Sequence, residues 1–233
     1  MVIIITGTSS GIGKAIADFY LNNGHKVIGI GRRHVINHSN YQAIPCDLSN
    51  QSAINDLSFA FVQSTVLLIN NAGTLGHVQR ISDQDEIDLA TVLAINTVAP
   101  ALLMQKLAQQ CGNNFQLTVV NISSGAAKRA IPSWAAYCAS KAALEMISET
   151  FFLEEQEKGR STKVYAVAPG VVDTAMQTYI RTVHSGDFSS SANFHSYYEN
   201  NELISPEMVA EKLDKLLKNN YTGQVCYSLR DID

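Results

Sequence analysis

No cysteine pair at metal or redox spacing, no histidine cluster, no surplus of positive charge and no long apolar run occur in this 233-residue chain. Each gap removes a class of function. The four cysteines, Cys46, Cys111, Cys138 and Cys226, lie far apart with no C-x-x-C among them, so they read as reduced packing residues rather than metal or disulfide ligands. Cys138 has no base near it in sequence and is read as packing, not as a nucleophile. The six histidines include no H-E-x-x-H, and His34 and His38, four apart in loop-like sequence, read as surface residues. No metal is expected. A net charge of -4 and a pI near 5.8 supply no field to attract nucleic acid or an anionic membrane. The apolar run Val2 to Ile5 is too short for a signal peptide or a membrane anchor, so a cytoplasmic protein is expected.

Hydrophobic residues make up 46% of the chain and charged residues 16%, enough apolar surface for one large core and no case for disorder. Short β-branched runs alternate with amphipathic stretches. Val2 to Ile5, Ile12 to Asn22 and Val27 to Ile30 read as strand, helix and strand, with Gly24 ending the helix. Further strands are expected at Val66 to Ile69, Leu117 to Ile122, Lys163 to Val167 and Gln224 to Tyr227. Helices are expected at Ile87 to Gln109, Tyr137 to Glu157 and Pro206 to Leu217, the last capped by Ser205 with Pro206 at its first position. This is an α/β pattern: a single-domain, Rossmann-type, doubly wound parallel sheet over residues 1–233 with helices on both faces. One stretch, Thr174 to Ile204, breaks the alternation. It is polar, holds Tyr179, Phe188, Phe194, Tyr197 and Tyr198, and reads as a mobile flap over the substrate.

Directly after the first strand stand Gly7, Ser9, Ser10, Gly11, Ile12 and Gly13, spaced G-x-x-x-G-x-G. A turn there must let a pyrophosphate touch backbone and must start a helix whose free N–H groups face that phosphate. At the end of the second strand Arg32 and Arg33 stand where an NAD enzyme carries an acidic residue. A guanidinium binds a 2′-phosphate that a carboxylate would repel, so NADP(H) is expected. Tyr137 and Lys141, four apart in a helical pattern, project from one face. A nearby ammonium favours phenolate and so brings the tyrosine toward useful acidity.

Taken in order, Thr6-Gly7-x-x-x-Gly11-Ile12-Gly13, Asp47-Leu48, Asn70-Asn71-Ala72-Gly73, Asn96, Asn121-Ile122-Ser123-Ser124, Tyr137-x-x-x-Lys141 and Pro169-Gly170 resemble the short-chain dehydrogenase/reductase family over nearly the whole chain. The resemblance implies that Ser124 holds a carbonyl oxygen, that Tyr137 donates a proton to it, that Lys141 binds the nicotinamide ribose, and that Asn96 fixes a water linking Lys141 to solvent. It implies that Asp47 and Leu48 flank the adenine. Asn71, Ala72 and Gly73 would line the cofactor, and Pro169, Gly170, Val172 and Thr174 would pass its carboxamide. Ser123 would support Ser124 from behind. Val120 to Ala127 followed by Trp134-Ala135-Ala136-Tyr137-Cys138 is most similar to the sepiapterin and benzil reductase group, which implies an NADPH-dependent carbonyl reductase acting on small dicarbonyl or aromatic ketone substrates. Two other readings stay open: an NADPH-binding sensor without turnover, and a 3-ketoacyl-type reductase, although the segment Ser228 to Asp233 lacks the Asp-Gly-Gly common there. The resemblance also implies a homodimer or homotetramer, with Ile87 to Gln109 and Tyr137 to Glu157 pairing across a two-fold axis.

Overall fold

The computed structural model describes residues 1–59, 65–84, 88–110 and 116–232. Seven strands form one parallel sheet: β1 (Val2–Thr6), β2 (Lys26–Gly31), β3 (Tyr41–Pro45), β4 (Thr65–Asn70), β5 (Gln116–Ile122), β6 (Lys163–Ala168) and β7 (Cys226–Ser228), in spatial order 3-2-1-4-5-6-7. The helices are α1 (Gly11–Asn22), α2 (Gln51–Asn55), α3 (Leu89–Leu93), α4 (Ala99–Gln110), α5 (Ala135–Glu157), α6 (Ala175–Thr182), α7 (Ser191–Glu199) and α8 (Pro206–Lys218). From β1 the chain builds outward to β2 and β3, then returns to place β4 on the other side of β1. That reversal opens a crevice beyond the C-terminal ends of β1 and β4, where ligands of such sheets bind.

The central strands are apolar on consecutive residues because both sheet faces are covered. Val2 and Ile4 pack with Leu103, Met104, Leu107 and Phe152 on the face of α4 and α5. Ile3 and Ile5 pack with Ile16, Val209 and Leu213 on the face of α1 and α8. Ile3, Ile4 and Ile5 are each 0% exposed, so truncating any one to alanine is expected to cost about 2–5 kcal/mol. Ser205 caps α8 as the sequence predicts, its Oγ accepting from Met208 N at 3.1 Å.

Three local features depart from the sequence reading. β3 has no apolar run to announce it, being a largely exposed edge strand paired only with β2. The helix expected from Ile87 to Gln109 starts at Leu89, with Ile87 itself outside the described residues, and passes through a π-helical turn at Ala94–Val98. Leu89–Gln110 is long and apolar enough to cross a membrane by length and composition, but here Val92, Leu103, Met104 and Leu107 are buried in the protein. The stretch Thr174 to Ile204, read as a mobile flap over the substrate with no helix assigned to it, carries α6 and α7. Between them Phe188 is fully buried, stacked on Trp134 with ring centroids 5.3 Å apart.

Candidate active site

The strand ends bring the chemistry-bearing residues to one cavity of about 880 Å³. After β1, Gly7 and Gly11 adopt φ of +74° and +55°, a region in which a side chain is strained. α1 starts without a side-chain cap from Ser10 and without an acidic residue in its first turn, so its N–H groups stay available to an anion. Beneath this loop a Cβ on Gly13 would lie 2.3 Å from both Asn71 Nδ2 and Gly7 O. The space belongs to Asn71, whose amide donates to Thr6 O and Gly7 O and fixes the loop against the end of β4. Thr6 completes the clamp, its Oγ1 accepting from the backbone N–H of Asn71 and of Ala72, both at 2.9 Å.

Gly7, Ser9, Ser10, Gly11 and Ile12 line the cavity at one end, with Arg32, Arg33, Asp47 and Leu48 beside them and Asn71, Ala72 and Gly73 below. Arg32 and Arg33 are exposed, and neither forms an ion pair among the described residues. Asp47 accepts from Ser49 N and Ser49 Oγ, bonds that hold its carboxyl below the usual range with a smaller contribution from Arg32. Pro169, Gly170, Val172 and Thr174 close the wall beyond β6.

At the far end stand Ser124, Tyr137 and Lys141, all on the cavity wall. The start of α5 aims Tyr137 and Lys141 from one face, and the Lys141 ammonium lies 5.7 Å from the centroid of the Tyr137 ring. Lys141 Nζ donates to Ile122 O at 2.7 Å, which ties it to the end of β5. Burial pulls the Lys141 pKa down to about 8, while the Glu145 carboxylate opposes the fall. Burial pushes the Tyr137 phenol up and its hydrogen bond with Ser124 pulls it back. Burial is the larger of the two, so the phenol sits above its ordinary value and is protonated at neutral pH.

Gly13 and Asn96, both expected to take part, do not line the cavity. Gly13 acts from beneath, as above. Asn96 is 1% exposed and its side chain is spent: Oδ1 accepts from Thr74 N, and Nδ2 donates to Thr74 O and Ser140 Oγ. Ser123 and Ser124 have different partners: Ser123 Oγ donates to Glu145 Oε1 at 2.7 Å, whereas Ser124 is bonded to Tyr137. Glu145 is a residue the sequence reading missed. It is buried, bonded to Ser123 and paired with Lys128 at 2.8 Å, and only its spacing of four from Lys141 could have signalled it. Cys138 is half-buried against the cluster around Trp134, and no group of metal-binding side chains occurs among the described residues.

A family model for short chain dehydrogenases matches residues 1–184. The chain belongs to the short-chain dehydrogenase family. It is therefore an oxidoreductase of a family that works with nicotinamide cofactors. A benzil reductase ((S)-benzoin forming) of Bacillus subtilis is 32% identical over 98% of each chain. A sepiapterin reductase of Bos taurus is 31% identical, covering 76% of this chain and 68% of the relative. A solved short chain dehydrogenase/reductase from Saccharomyces cerevisiae superposes with a TM-score of 0.82 at 28% identity, covering 99% of this chain and 96% of that one.

Proposed function

We propose that this dehydrogenase is an NADPH-dependent carbonyl reductase for small dicarbonyl or aromatic ketone substrates. The observation that carries the reading is one continuous cavity joining a phosphate-ready helix start to a protonated Tyr137 bonded to Ser124. The left-handed backbone at Gly7 and Gly11 and the open first turn of α1 fit a dinucleotide pyrophosphate. Unpaired Arg32 and Arg33 fit a 2′-phosphate. When bound, the reduced cofactor supplies a hydride to the carbonyl carbon. Ser124 donates a hydrogen bond to the carbonyl oxygen, and Tyr137 gives that oxygen its phenolic proton, general-acid help typically worth about 10² to 10⁴-fold. Lys141 holds the ribose and returns a proton to the phenolate. Asn96, whose side chain holds the Thr74 backbone and Ser140, fixes the water that links Lys141 to solvent.

The names of the relatives support the substrate class, and the aromatic wall of Trp134 and Phe194, backed by the buried Phe188, fits a ketone with aromatic substituents. In this reading residues 174–204 cover the substrate, the whole chain acts as one domain, and the protein works in the cytoplasm. Exposed Met146 and Leu153, seven apart on α5, with Val98 nearby in sequence to α4, supply the apolar face for a homodimer or homotetramer. The test is to mix the purified protein with NADPH or NADH and a carbonyl panel including benzil, following the nicotinamide absorbance. Faster oxidation of NADPH is expected; an equal NADH rate refutes the argument from the arginines. Binding without oxidation by any carbonyl would mark a sensor instead, and a fully active Tyr137→Phe variant would refute the proton-donor assignment.

A further inference from the structure

Gln177 is the misfit of the substrate end of the cavity. It lies on α6 one turn before Ile180, is 3% exposed, and lines the cavity along with Met176, Ile180 and Phe194. Among the described residues neither its Nε2 nor its Oε1 has a hydrogen-bond partner. A buried amide left unpaired destabilises a fold, and Leu or Met would fill the same volume without that cost. A local explanation exists in principle. Thr174 caps α6 and its Oγ1 accepts from Gln177 N, and in a full capping box the Gln177 side chain would return a bond to the Thr174 backbone N–H. That return bond is not made, since Oε1 is unpartnered. The box is half-built and the amide is left for something else.

A second orphan sits on the same wall. Trp134 is 6% exposed, its Nε1–H has no acceptor, and its ring stands edge-on to Tyr137 with centroids 5.5 Å apart. Two residues of the wall that Tyr137 and Ser124 also line therefore carry N–H donors unpaired among the described residues and shielded from water until a side chain turns toward a ligand, in apolar surroundings where a hydrogen bond discriminates strongly. A monoketone would use its single oxygen on Tyr137 and Ser124 and leave both donors unsatisfied.

Resting on the reductase reading above, we infer that Gln177 is a specificity-determining residue: its amide, with the Trp134 indole N–H, donates to the second carbonyl oxygen of a vicinal diketone. The substrate class narrows accordingly, from aromatic ketones in general to those carrying an adjacent carbonyl.

The test compares benzil with deoxybenzoin, which has the same two rings but a methylene in place of one carbonyl, in wild type and in Gln177→Leu. The variant is expected to lose about ten- to a hundred-fold in kcat/KM on benzil and to stay within about two-fold on deoxybenzoin, with NADPH affinity unchanged and thermal stability equal or higher. An equal fall on both ketones would overturn the inference by making Gln177 a packing residue. Weakened NADPH binding would overturn it by assigning the amide to the cofactor. A lowered melting temperature with an unchanged ketone ratio would overturn it in favour of the capping box. If the wild type reduces neither ketone, the reductase reading itself fails. The pocket is then read by titrating the fluorescence of Trp134, the single tryptophan of the chain, with each ketone: tighter benzil binding that Gln177→Leu abolishes supports the inference, and equal binding overturns it.

Discussion

Replacing Lys141 by methionine separates what the lysine does for chemistry from what it costs the fold. Lys141 is 4% exposed, and its ammonium has one hydrogen bond, to Ile122 O. Burial lowers its pKa from the ordinary 10.5 to about 8, so the folded state disfavours the charged form by about 3 kcal/mol at 1.36 kcal/mol per pH unit. Below pH 8 both folded and unfolded chains hold the proton, and the native state bears the full cost. Between about pH 8 and 10.5 the unfolded chain holds a proton that the native state has released, so stability rises with pH across that window. Lys141→Met has no such dependence. Its stability relative to wild type should therefore fall by about 3 kcal/mol between pH 7 and 10.5, whatever constant offset the loss of the Ile122 bond adds. Urea unfolding of both proteins without cofactor, at pH steps across this range, measures the difference. Tyr20, Tyr165 and Cys226, whose pKa values burial raises, lose stability at high pH in both proteins and cancel. A difference that stays flat from pH 7 to 10.5 would refute the claim that Lys141 is a strained buried cation.

Three further outcomes follow from the same geometry. Arg32→Ala should raise KM for NADPH about 10- to 100-fold and leave KM for NADH unchanged, as steady-state rates with each cofactor will show. Gly13→Ala places a methyl 2.3 Å from Asn71 Nδ2 and Gly7 O, so it should destabilise the protein by about 1–3 kcal/mol and abolish the fluorescence enhancement of bound NADPH. Glu145→Gln removes a carboxylate that opposes the fall in the Lys141 pKa, so the alkaline limb of the kcat profile should move to lower pH, and an unmoved limb would sever Glu145 from the relay.

The strands were legible because burial on both sheet faces demands unbroken Val and Ile runs, and Ile3, Ile4 and Ile5 supply one. β3 was not, since Tyr41–Pro45 is a largely exposed edge strand and nothing about an exposed edge requires apolar residues. The π-helical turn at Ala94–Val98 adds one residue to a turn of an otherwise regular apolar pattern, a shift too small for periodicity to register. In α6 the amphipathic pattern runs for only eight residues, with Gln177 and Ile180 its buried positions, too short a stretch to stand out inside a polar segment. The chemistry was easier to read than its support. Tyr137, Lys141 and Ser124 are recognisable by type and order, whereas Thr6, Glu145 and Ser140 act through contacts between elements that only the fold brings together.

Lys141 and Gln177 are both costly to bury, but the two costs are met differently. The charge on Lys141 is partly compensated inside the chain by the Ile122 carbonyl and the Glu145 carboxylate, which in turn is held by Ser123 and Lys128. That compensation has to be internal, because a proton relay must stay ordered whether or not substrate is present. The Gln177 side-chain amide has no hydrogen-bond partner among the described residues. An amide that the chain could have satisfied through Thr174, and did not, gains its hydrogen bonds only when the cavity is filled, so its desolvation cost becomes discrimination at the moment of binding. The two residues thus divide the site: α5 carries groups settled before the substrate arrives, and α6 carries one that the substrate itself must settle.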